Sequence, residues 1–168
     1  QFVGETVHDD IGAENLGLRY HDDTMGDLTL NVGVMRFSLN GQGTILLNFR
    51  YPKGVNVQAV MTQVQRHLGG FKATVEVWPG GMEPHLVPET DELVGVLSMV
   101  YAKQTGMFMN PRTSNGGSYA RLLKRGVAFG GQFPDVPVTS HQANESTPVA
   151  DLTRSMAIFA EALLKLAQ

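Results

Sequence analysis

The stretch PGGMEPHLVPET, residues 79–90, sets the tightest limit on how this chain can fold. Its three prolines lack a backbone N–H, and its two glycines favour turns, so it supports neither a continuous helix nor an interior strand. One layered body cannot run through it. We therefore expect a linker or hinge there, and place a domain boundary within it.

Ahead of the hinge, residues 1–28 are polar and rich in Gly and Asp, and they read as loops with one or two short elements. TLNVGVMRFSLN and TILLNFRY then alternate apolar and polar residues, as half-buried strands do. NGQG between them is a hairpin signal. Phe37 and Leu39 must share a face with Ile45, Leu47, Phe49 and Tyr51. That parity requires an odd number of loop residues and a glycine-assisted turn at Gly41 or Gly43. Leu30, Val32 and Val34 have the opposite parity from Met35, Phe37 and Leu39, which predicts a bulge or a late strand start near Gly33. Asn56 then caps a helix with apolar residues at Val57, Val60, Met61, Val64 and Leu68, closed by Gly69 and Gly70. KATVEVW reads as a strand, giving a β-β-α-β unit with one bare sheet face.

Beyond the hinge, residues 91–105 read as a helix capped by Thr90 and stopped by Gly106. GMFMNP is extended, TSNGGSYARLLKRG is a glycine turn opening a short helix that Gly126 ends, and VAFGGQF is a strand. After the loop PDVPVTSHQANES comes a last helix with Thr147 at the N-cap and Pro148 at its first position. Leu152, Met156, Phe159, Leu163 and Leu166 fall on one stripe of it. These helices call for a larger sheet than the second half can build, so further polypeptide is expected. The opening QFVGET, without methionine, points to a processed or excised segment.

Charge and composition remove several classes of function. A net charge of −3 leaves no footprint for nucleic acid or an anionic membrane. The absence of cysteine excludes disulfides and thiolate metal sites and suits a reducing cytoplasm. No apolar run approaches a membrane span, and no signal peptide is read.

Three places can carry chemistry. His141, in TSHQANES, can offer a ring nitrogen to a metal, with Asn144 or Glu145 orienting it; equally it can be a hydrogen-bonded loop residue. Nothing nearby completes a site, because the other histidines stand at 8, 21, 67 and 85. Gly116, Gly117 and Ser118 precede a helix, where backbone N–H groups can receive a carboxylate; a plain tight turn is the alternative. Arg50 stands on the strand face opposite Ile45, Leu47, Phe49 and Tyr51, and is either solvated or a bidentate carboxylate clamp. The pairs HDDI and HDDT resemble ligand sets but suit turns and caps better.

HDDTMGDL, NFRYPKG, EPHLVP, VYAKQTG, GGSYARLLKRGVAFG, HQANE and AIFAEALLKLA, in that order, resemble segments of the bacterial dipeptidase V group. That group lies within the co-catalytic zinc peptidase family, which includes carnosinases and acetylornithine deacetylases. One departure is Asn115-Gly116-Gly117-Ser118-Tyr119, which has one glycine fewer than the family's turn. The resemblance implies an α+β architecture: residues 1–82 as half of a ferredoxin-like lid, and residues 83–168 as the C-terminal α/β part of the catalytic domain. It implies hydrolysis of dipeptides with a free C-terminal carboxylate by a water activated on two zinc ions, and a cytoplasmic enzyme. His141 would be one metal ligand, while Arg50, Gly116, Gly117 and Ser118 would bind the substrate carboxylate. The general base and the other ligands would lie outside this chain, leaving the segment inactive alone and dependent on the N-terminal remainder of the catalytic domain. An N-acyl amino acid deacetylase of the same family, or a non-enzymatic α+β interaction module, are the alternatives.

Overall fold

A computed structural model describes residues 2–114, 116–130 and 132–168. Asn115, in the expected glycine turn, and Gly131, in the expected VAFGGQF strand, lie outside the described residues. The chain is α+β and divides into two compact units. One runs to Leu86 and includes Thr113 and Ser114; the other takes in Val87–Arg112 and the residues from Gly116 onward.

The first unit opens with a π-type turn, Val3–Val7. Two short antiparallel strands follow, β1 (His21–Asp22) and β2 (Gly26–Asp27). The longer pair β3 (Thr29–Phe37) and β4 (Gly43–Arg50) forms the expected hairpin. Val32 faces Leu47 and Val34 faces Leu46, so Gly33 is the extra residue of a bulge that resets the parity. The turn occupies residues 38–42, with Gly41 left-handed at φ 82°. Helix α1 (Val57–His67) begins where Asn56 Oδ1 accepts from the N–H groups of Gln58 and Ala59, at 2.8 and 3.2 Å. Leu16, Leu28, Leu30 and Val64 form the buried core, and Ile45, Leu47 and Phe49 of β4 pack on it.

The expected strand over 72–78 does not form, so the β-β-α-β unit stops at β-β-α. A strand needs a neighbouring edge, and among the described residues β3 and β4 pair only with each other. Val75 still packs against the core, while Val77 and Trp78 are exposed.

In the second unit, α2 (Glu92–Thr105) is capped by Asp91, not Thr90: the Asp91 carboxylate accepts from the Leu93 N–H at 2.9 Å. Gly106 ends the helix in the left-handed region at φ 72°. A single 3₁₀ turn, Tyr119–Leu122, replaces the expected short helix. The described residues of VAFGGQF form no strand, yet Val127, Phe129 and Phe133 still face the core. Helix α3 (Val149–Leu166) starts after Pro148, one residue later than expected.

Helices α2 and α3 pack side by side, and the stripe α3 buries differs from the expected one. Asp151, Ser155, Ile158 and Ala162 are buried, whereas Leu152, Met156, Phe159, Leu163 and Leu166 are exposed. Small side chains permit the close approach of α2, and charged pairs tie down its margins. Arg154 holds Asp151 at 2.9 Å and lies 3.9 Å over the Phe133 ring. Glu161 accepts from Lys103 at 2.6 Å and from Gln104. No helix among the described residues is long and apolar enough to cross a membrane.

Candidate functional site

Arg50 is the last residue of β4, opposite Thr29, and is exposed. Because side chains alternate along a strand, it shares the face of Asn48 and Leu46, away from the core-facing Ile45, Leu47 and Phe49. The chain leaving Arg50 is held closely. The Tyr20 hydroxyl donates to the Lys53 carbonyl at 3.4 Å, and the Lys53 N–H meets Met25 Sδ at 3.5 Å. Gly54 has φ 92°, and a Cβ there would lie 2.7 Å from Tyr20 Oη. The segment YHDDTM thus braces the turn behind Arg50.

That segment uses its acidic residues for structure. Asp22 Oδ1 accepts from the N–H groups of Thr24 and Met25, at 2.9 and 2.7 Å. Asp10 serves Glu14 and Asn15 in the same way, both at 2.9 Å. His21 Nδ1 meets Asp27 Oδ1 at 2.7 Å across β1 and β2. This hydrogen bond, with the charges of Asp27, Asp23 and Asp22, holds the His21 pKa above its ordinary value. The HDDI and HDDT pairs are therefore turn and clasp residues.

In the second unit, Gly116, Gly117 and Ser118 are exposed and lead into the 3₁₀ turn. The N–H groups of Gly117 and Ser118 have no partner among the described residues. With four residues in place of a helix, the turn lacks the dipole expected behind them. A guanidinium stands nearby instead, since Arg121 Nη1 would lie 3.7 Å from a Cβ on Gly117. Sequence reasoning missed Arg121; the one available signal was its spacing four residues after Gly117. Gly126 closes the segment where a Cβ would overlap the Ala120 carbonyl oxygen. Next to it, Arg125 forms a fork on Asp91, with Nη2 to Oδ1 at 2.7 Å and Nε to Oδ2 at 3.2 Å. This bond, aided by the Leu93 N–H, holds the Asp91 carboxyl below its usual range.

His141 lies exposed in a loop with a clasped base, where Thr139 Oγ1 donates to the Ser146 carbonyl and accepts from the Ser146 N–H, at 3.0 and 3.1 Å. Inside the loop, His141 and Asn144 are both left-handed, at φ 63° and 62°. Such backbone is uncommon for residues with a Cβ, and it clusters at functional sites. Glu145 Oε2 accepts from the His141 N–H at 3.3 Å, so the carboxylate steadies the backbone and not the ring. No hydrogen bond joins Gly117 or Ser118 to this loop among the described residues.

A catalytic zinc takes about three protein ligands. Among the described residues no three His, Cys, Asp or Glu side chains gather to hold a metal. Among the described residues, His141 is not joined by two further such side chains.

No protein-family model matches the chain. It is 40% identical over 166 residues to the Beta-Ala-Xaa dipeptidase of Lactobacillus delbrueckii subsp. lactis, covering 98% of this chain and 35% of that protein. A proposed dipeptidase of Staphylococcus saprophyticus is 35% identical over 153 residues, 91% of this chain and 32% of that protein. One of Staphylococcus haemolyticus is 32% identical over 165 residues, 98% of this chain and 35% of that protein. The chain thus spans about a third of the length of the curated relatives it matches, and over nearly all of its own length it is similar to proteins named as dipeptidases.

Proposed function

We propose that these residues are the C-terminal portion of a dipeptidase V-like zinc peptidase, and that the complete enzyme hydrolyses dipeptides with a free C-terminal carboxylate in the cytoplasm. The similarity to the Beta-Ala-Xaa dipeptidase, running through 98% of the chain, carries this reading. Residues 1–82 are then half of a lid, and residues 83–168 belong to the catalytic domain. Arg50, exposed at the end of β4, clamps the substrate carboxylate with paired N–H groups. The turn at Gly116, Gly117 and Ser118 offers backbone N–H groups to the same carboxylate. His141 is one ligand of a two-zinc centre whose other ligands, like the general base, lie outside these residues. The segment alone has no peptidase activity.

A chimera tests this directly: the 168 residues replace the matched third of the Lactobacillus delbrueckii dipeptidase. A folded chimera should cleave dipeptides roughly 10- to 100-fold faster than their C-terminal amides, the worth of hydrogen bonds to a charged group. Faster cleavage of N-acetylated amino acids would instead make the protein a deacetylase. A folded chimera that hydrolyses neither class refutes the reading.

A further inference from the structure

At 100° per residue, one half of the α3 circumference runs from Leu166 through Leu152, Leu163, Met156 and Val149 to Ala157, and it carries no charged residue. All four charged residues of the helix, Asp151, Arg154, Glu161 and Lys165, fall on the other half, with the stripe packed in the second unit. Three of these four are engaged there, with Phe133, Asp135, Lys103 and Gln104 as well as with each other. A surface helix ordinarily turns its charges outward, and here the outward half has none. Val149, Leu152, Met156 and Leu163 are 77, 52, 71 and 70% exposed. Over 18 residues the bare stripe is roughly 25 Å long, more than a lone surface leucine can account for.

We propose that this outward face of α3 is a seam, covered by the part of a dipeptidase chain that lies outside these 168 residues. The relatives carry about two thirds of their length beyond the matched region, which is ample polypeptide to cover it. The covering surface is apolar and has no charge opposite Leu152, Met156 and Leu163, because α3 offers no counter-charge there. This inference rests on the dipeptidase reading and adds to it the place where the two portions meet.

The chain has no cysteine, so single reporters can be introduced. Met156→Cys and Leu163→Cys are made in the 168-residue protein and in the chimera freed of other cysteines, with Lys124→Cys as an exposed control. Maleimide labelling at 156 and 163 should slow at least tenfold in the chimera while the rate at 124 is unchanged. Equal rates in both proteins overturn the seam. Protection at 156 that grows with concentration in the 168-residue protein alone overturns it too, in favour of a second copy. If the chimera does not fold, the remaining two thirds of the relative is added as a separate polypeptide. Protection at saturation supports the proposal, and none refutes it. A chimera that protects both positions but cleaves no dipeptide sinks only the functional reading. One that cleaves dipeptides with both positions open sinks only the seam.

Discussion

Single residues in this chain act through backbone that few alternatives could adopt. Gly54 is the sharpest case, with a left-handed φ and the Tyr20 hydroxyl in the space of a Cβ. Gly54→Ala should cost about 1–2 kcal/mol from backbone conformation alone, with more from displacing Tyr20, read as a lowered urea midpoint. Because that turn follows Arg50, the same variant in the chimera should also raise KM. Arg50→Ala there should raise KM for free-carboxylate dipeptides about 10- to 100-fold and leave their amides nearly unaffected. Arg50→Lys should recover only part of the loss, since an ammonium cannot form the fork. The kinetics of both substrate classes check this. Local features of this kind were legible in advance: the Asn56 cap, the Gly106 stop and the Gly33 bulge each follow from a few neighbouring residues. Arg121 was not, because its position beside Gly117 depends on how the 3₁₀ turn folds.

At the scale of elements, the three long helices and the β3–β4 hairpin could be read, where two isolated strands could not. A helix satisfies its own hydrogen bonds, so periodicity and caps suffice to place it. KATVEVW and VAFGGQF have strand alternation, but alternation does not say which edge a segment will pair with, and neither segment pairs as a strand among the described residues. Periodicity also marked the apolar stripe of α3 without saying which neighbour would receive it. The small β1–β2 pair gives an element-level prediction. The folded pKa of His21 lies above the ordinary 6.5, chiefly through its bond to Asp27, so the stabilisation is complete below that value. It is lost as pH rises through the raised folded value. An NMR titration should show His21 titrating above 6.5, and Asp27→Asn should bring it back down.

For the whole molecule, each unit is built around its own core. Phe133 is 2% exposed, stacks on Tyr101 and seats Arg154, so Phe133→Ala should cost about 3–5 kcal/mol. Faster hydrogen exchange in α2 and α3 is the expected signature. The candidate site was legible only in outline: Arg50, Gly116, Gly117, Ser118 and His141 were picked from motifs. Under the dipeptidase reading proposed above, their common chemistry would draw on groups outside these 168 residues. The β3–β4 hairpin leads to a further consequence. Both of its flanks are without a neighbouring strand among the described residues, and Met35 and Phe37 are exposed. A strand edge with no neighbouring strand is one onto which another molecule can zip. Stored concentrated and alone, the polypeptide should grow into larger particles over days by light scattering, and lysine or proline placed along β3 should keep it clear.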